Sequence, residues 1–204
     1  SSLAVGAITS TGASTITTTG NDDTLSLIST DADANAGPNL RMYRNSSSPA
    51  DVDELGNIHF VGRNDNSQDV TYATIESYAL DVSDGTEDAV LNFNVMQAGT
   101  GVSFFKGNNT EVIVNDDSAD LDFRVESNGN ANMLFVDGGN DAVGIGTASP
   151  SSYSSGGDNL VIYGSGTSGI TIATGDTTSN CNIKFADGTA TATENAGWID
   201  YSHN

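Results

Sequence analysis

Positive charge is scarce in this chain. Six Lys and Arg stand against 27 Asp and Glu, a formal net charge of −21 over 204 residues. The six (Arg41, Arg44, Arg63, Lys106, Arg124 and Lys184) are scattered. No basic patch can be read that would displace counterions from a phosphate backbone, which excludes DNA and RNA as partners. Charged residues of both signs make up only 16% of the chain. The remaining polar surface is Ser, Thr, Asn and Gly, unlike the mixed Lys/Glu surface of an ordinary cytosolic enzyme. Like charge keeps such a chain soluble and self-repelling, and salt screens that repulsion, so a salty medium suits it.

Cysteine is limited to Cys181, which rules out an intrachain disulfide framework. Its neighbours Asn180 and Asn182 supply neither a base nor positive potential, so an inert thiol buried in or near a strand is expected. With only His59 and His203, a zinc site or a Ser-His-Asp triad has few possible members. No Gly-x-Ser-x-Gly elbow precedes a helix, and no helix N-terminus follows the glycine-rich loops to cradle phosphate. Aromatics are 7% of the chain, mostly at strand spacing, which leaves no evident sugar-stacking platform. Apolar stretches run only a few residues, too short for a membrane-spanning helix. Residues Ser1 to Gly6 lack the regions of a signal peptide, and the missing initiator Met is expected of a processed or partial chain.

Helix signals are nearly missing as well. High net charge with low hydrophobicity would favour disorder, but 36% of residues are hydrophobic and fall in short alternating runs. Candidate strands recur roughly every ten to fifteen residues with turn residues between them, the pattern of an all-β chain. They are Thr24 to Ile28, Leu40 to Tyr43, Ile58 to Val61, Val70 to Ile75, Val90 to Met96, Val102 to Phe105, Glu111 to Val114 and Leu121 to Val125. Met133 to Val136, Ala142 to Ile145, Leu160 to Tyr163, Ile170 to Ala173, Ile183 to Phe185 and Trp198 to Tyr201 follow. The alternation is cleanest at Leu121, Phe123 and Val125, with Asp122 and Arg124 pointing the other way. Asn128-Gly129, Asp137-Gly138 and Asp187-Gly188 supply the positive φ of tight hairpins. Asp84-Gly85 and Gly107-Asn108-Asn109 mark further loops, and Val82 to Ala89 is the one place for a short helical turn.

The organisation reads as tandem small β-sandwich or β-meander modules. Residues 1–20 form a Thr/Gly-rich connector whose only larger apolar residues are Leu3, Val5, Ile8 and Ile16, too few to fold alone. Residues 21–99 form a sandwich-like module and 100–150 a meander. Residues 151–157 form a flexible Ser/Gly linker, and 158–204 a further, incomplete module.

The stretch LDFRVESNGNANMLFVDGGNDAVGIGTASP, Leu121 to Pro150, resembles a module of bacteriophage tail fibre and tail spike proteins. There, a strand, an Asn-Gly turn, a second strand and a VGIGT-type ending with a nearby Pro occur in tandem. Leu160 to Gly188, followed by GWIDYSHN, looks like another such module. Leu25 to Gly99 is similar to segments preceding these modules in phage fibres, many from marine or cyanobacterial hosts. The echo of Gly6-Ala7-Ile8-Thr9 in Ser14-Thr15-Ile16-Thr17 resembles their connector repeats.

The resemblance implies a homotrimer about a threefold axis, carried on a virion and outside the cell. Short strands bury little apolar surface in one chain, whereas three chains can share a core. Gly144-Ile145-Gly146 is expected to let backbones of neighbouring chains approach closely. Family members often end in an intramolecular chaperone domain, and nothing in the chain resembles one, so trimerisation is expected to depend on sequence outside this segment or on another protein. The implied role is adsorption to a host surface glycan or protein receptor. The alternatives are a head fibre, decoration protein or architectural shaft, and a polysaccharide-degrading spike. A bacterial surface adhesin would keep the fold and change the source.

No catalytic, cofactor-binding or metal residue is assigned. Gly138 to Gly146 and Gly20 to Leu25 superficially resemble the calcium-binding nonapeptide, but that motif works by tandem repetition and neither copy repeats. Both are read as hairpin turns, and Asn115-Asp116-Asp117 with Asp120 as a solvated loop. Any pair of carboxylates could be nominated for glycoside hydrolysis, so none is. Trp198 and Tyr201 are read as an inter-chain core in preference to a carbohydrate contact.

Overall fold

The computed structural model describes residues 9–35, 37–175, 179–186, 188–189 and 197–201, and the side chains of 198, 200 and 201 lie outside the described set. The described chain is nearly all β, as the alternation predicts. Its only helical element is a 3-10 turn at Pro150–Ser152. A five-stranded antiparallel meander comprises β1 (Asp53–Arg63), β2 (Asp69–Asp81), β3 (Asp88–Gln97), β4 (Thr100–Gly107) and β5 (Val112–Val114), in that spatial order. A second sheet runs β6 (Phe123–Val125), β7 (Leu134–Asp137), β8 (Ala142–Ile145) and β9 (Leu160–Ile162). A separate hairpin pairs β10 (Cys181–Phe185) with β11 (Gly197–Tyr201). The substantial strand-to-strand contacts lie within these sheets.

Two expected boundaries fall inside sheets. The break placed between residues 99 and 100 lies in the hairpin joining β3 to β4, where Gln97 pairs with Thr100. Ala98 (φ 48) and Gly99 (φ 85) are its two turn residues, both left-handed, as a type I′ turn demands. With Ala where Asn or Asp is usual, the turn gives a weak sequence signal. The linker placed at 151–157 lies on the crossover that returns the chain to lay β9 parallel to β8, Val143 opposite Leu160. A parallel pair needs such a crossover, since a tight hairpin can join only antiparallel strands.

The other loops follow side-chain chemistry. Asp81 Oδ1 accepts from Ser83 N at 2.7 Å and Gly85 takes φ 87, so Val82 to Glu87 form a loop, Asp88 and Ala89 open β3, and no helix forms. Asn108 Oδ1 accepts from the amides of Thr110 and Glu111 and shapes the β4–β5 loop. The Asp137-Gly138 turn is built on Asp137, whose Oδ1 accepts from Asn140 N at 3.0 Å. The Asp187-Gly188 turn, His203 and residues 1–8 of the connector lie wholly or partly outside the described residues.

The VGIGT stretch is tight for reasons within the chain. A Cβ on Gly144 would collide with the carbonyl oxygen of Thr147, and one on Gly146 (φ 84) with that of Tyr163. Gly146 N donates to Asn132 O at 2.7 Å, and Tyr163 N to Ile145 O at 2.8 Å. Within the chain these glycines permit the close approach of the Thr147 and Tyr163 carbonyls. It seats Pro150 and closes the second sheet around Phe135, Ala142 and Val161, all buried.

Three predicted strands have no place in a ladder: Thr24 to Ile28, Leu40 to Tyr43 and Ile170 to Ala173. Their alternation is present but no neighbouring strand completes them. Cys181 does lie in a strand, half-buried and not fully enclosed.

Candidate functional site

In an antiparallel sheet, residues directly opposite one another share a face. The five-stranded sheet therefore resolves into transverse rows. One row is Ile58, Ile75, Phe93, Phe105 and Val114, and the next on the same face is Gly56, Ser77, Leu91, Gly107 and Val112. Between them, on the opposite face, runs Asn57, Glu76, Asn92 and Lys106, followed by His59, Thr74, Asn94 and Ser103. One face is apolar and the other polar across four strands.

The polar face is knitted together. Glu76 Oε1 accepts from Asn92 Nδ2 at 3.2 Å and from Asn94 Nδ2 at 2.5 Å. Asn94 Nδ2 also lies 2.9 Å from Thr74 Oγ1, and Ser103 Oγ donates to Asn92 Oδ1 at 2.5 Å. Tyr78, one row along, has its phenol pushed up to about 12, first by burial and then by its hydrogen bond to Glu76 and the charges of Glu76 and Glu54. Asn57 Oδ1 is buried with no hydrogen-bond partner.

A shallow groove of about 430 Å³ opens on this face, lined by Tyr78, Asn92, Ser103, Lys106, Asp116 and Asp117 among others. Its charges are engaged. Lys106 Nζ meets Asp116 Oδ2 at 2.7 Å, and Asp117 Oδ2 accepts from Ser103 N at 2.6 Å. The Asn115-Asp116-Asp117 stretch with Asp120, read from sequence as a solvated loop, has its three carboxylates exposed and is also latched onto β4. Asn115, at φ 65, holds the bend by accepting from Ala119 N and donating to Ala119 O. His59 sits exposed on β1, in the polar row and apart from any partner set for acid–base work. Among the described residues no group of three or more His, Cys, Asp or Glu is gathered to hold a metal. The Trp198 and Tyr201 side chains lie outside the described residues.

Much of the apolar face is exposed, although Val102, opposite Val95 at the β3–β4 end, is buried. Ile58 is 40% exposed, Phe60 52%, Leu91 47% and Val112 68%. Phe93 stacks edge-on against Phe104 and Phe105, with centroids 6.2 and 5.8 Å away. Phe104 occupies a bulge in β4, which adds a third ring to the cluster. At the start of β1, Met42 covers Gly56, whose missing Cβ makes room for the Met42 methyl. Arg44 anchors that segment by pairing with Asp53 Oδ1 at 2.8 Å and donating to Glu54 O. Sequence reading identified the apolar residues but not their common face, because the register that aligns them includes bulges.

No family model, curated protein or solved structure matches the chain.

Proposed function

We propose that the chain is a non-catalytic structural subunit of an elongated β-rich appendage assembled from copies of itself. We further propose that it is a virion tail fibre segment, outside the cell, that mediates or supports adsorption to a host surface. The observation that carries the reading is surface. The single chain exposes 15738 Å², where a compact folded monomer of this size exposes about 9,000 Å². Among the described residues the buried apolar side chains are few: Val90, Val102, Phe135, Ala142 and Val161 in the two larger sheets, and Pro150 in the 3-10 turn. The alternating stretches at 24–28, 40–43 and 170–173, left without strand partners, are what a chain completed by its neighbours would present. Three chains would complete it in the manner the fibre resemblance implies.

The virion assignment draws on the resemblance of residues 121–150, whose VGIGT ending has a defined structural purpose in the second sheet. An architectural shaft is the second reading. It is favoured by the polar face, whose amides, carboxylates and ammonium are spent on one another and leave few groups to greet a receptor. Light scattering on the purified chain is expected to give the mass of three copies, and a folded monomer would overturn the proposal. Incubation with host cells then separates the roles: retention on the cells supports adsorption, and its lack supports the shaft. Release of reducing sugar from host polysaccharide would overturn the non-catalytic reading.

A further inference from the structure

We infer that the apolar face of the five-stranded sheet is the surface through which copies of this chain meet, with the polar face turned outward. The inference rests on the self-association proposed above and adds where it happens.

The central row of that face, Ile58, Ile75, Phe93, Phe105 and Val114, crosses all five strands without a polar side chain. The neighbouring row adds Leu91 and Val112 and carries no charge. Exposed apolar patches of this extent on a folded protein mark interaction surfaces. The five strands, 11, 13, 10, 8 and 3 residues long, lie about 4.8 Å apart and rise about 3.3 Å per residue, and so cover roughly 700 Å². That is about what one partner contributes to a standard specific interface.

Electrostatics identifies the occupant as a second copy. The chain carries −21, so two copies repel wherever their carboxylates face each other. The apolar rows are free of such groups, whereas Glu54, Glu76 and Lys106 lie on the other side of the same sheet. A different protein recognising so acidic a chain would be steered by basic residues toward those carboxylates, and this face offers them nothing. Met42 of the same chain packs over Gly56 at one corner, and Val102, opposite Val95 at the β3–β4 end of this face, is buried within the chain, so the open area is the part carrying Ile58, Phe60, Leu91, Phe105, Val112 and Val114. Three such faces turned inward about a threefold axis would interdigitate their side chains in one shared core.

The test uses the full chain with Cys181→Ser, so that an introduced thiol is the only one. Val112→Cys, at a position exposed in the single chain, is expected to react with a thiol reagent at least tenfold more slowly in the assembled state than after dilution to monomers. His59→Cys, on the polar face, is expected to react at similar rates in both. In a second arm, Phe60→Lys with Val112→Lys is expected to move the dissociation midpoint to at least tenfold higher concentration, while His59→Lys leaves it in place. Both variants are compared with the parent by far-ultraviolet circular dichroism. An assembly in which Val112→Cys reacts as fast as in the monomer overturns this inference and leaves self-association standing. Protection of Val112→Cys that persists at every dilution, as cover by the chain's own segment or by a co-purifying partner would give, overturns it too. A parent chain that is monomeric at all concentrations removes the underlying proposal first.

Discussion

Glu76 serves three donors: the amides of Asn92 and Asn94 and the phenol of Tyr78. Removing it takes away the charged acceptor the two amides share, leaving Asn92 Nδ2 only Asn94 Oδ1 and Asn94 Nδ2 only Thr74 Oγ1, and Glu76→Ala is expected to cost about 1–3 kcal/mol in urea unfolding. The same change should move Tyr78 only part of the way back toward its ordinary value, because burial is the larger cause of its shift. The raised value also fixes the sign of a pH effect. Tyr78 stays protonated in the folded chain after it would ionise in the unfolded one. Its contribution is complete below pH 10 and is withdrawn as pH climbs toward about 12. Ultraviolet titration of tyrosinate should show a late-titrating component that disappears in Tyr78→Phe.

At the level of elements, the turns carry clear tests. Ala98 holds φ 48 without the side-chain hydrogen bonding that lets Asn visit this region. Ala98→Asn is therefore expected to stabilise the β3–β4 hairpin by roughly 1 kcal/mol, read as a higher melting temperature. Gly146→Ala should cost more than about 2 kcal/mol, since strain at φ 84 adds to a collision with the Tyr163 carbonyl. Amide exchange should accelerate across β8 and β9. These two turns also mark what sequence could reveal. The turns at Asp84-Gly85 and Asp137-Gly138 were legible as places where strands end, but their details were not: the first is capped by Asp81 and Glu87, and in the second Asp137 caps while Asp141, not Gly138, takes the positive φ. Ala98-Gly99 lacks a capping oxygen and passed for a module boundary. The crossover to β9 passed for a linker because Ser and Gly say nothing of what their backbone spans. Thr24 to Ile28 and Leu40 to Tyr43 alternate as strands do, but a ladder needs a second strand, and one chain does not supply it. The polar row was invisible for a related reason: Asn57, Glu76, Asn92 and Lys106 come from four strands, and only register brings them abreast.

For the molecule as a whole, charge opposes what apolar area favours. Copies carrying −21 each should associate more readily as salt shortens the reach of their repulsion, from about 30 Å at 0.01 M to about 10 Å at 0.1 M. Sedimentation across that range is expected to show assembly at lower protein concentration in the saltier buffer, with melting that rises with protein concentration. Insensitivity to both would mean that the exposed sheet face contributes nothing to assembly.

The irregular pairing of β1 bears on a different hazard. This edge strand departs from regular pairing with β2 between Glu54 and Gly56 and again between Phe60 and Val61. The first, with Leu55 as the extra residue, disturbs the even spacing of amides and carbonyls that a foreign strand would have to match along the open edge; the second, with Tyr72 of β2 as the extra residue, increases the local twist of the pair. Ribbon growth by edge addition, the route to amyloid, is thereby discouraged in a molecule otherwise rich in exposed β-structure.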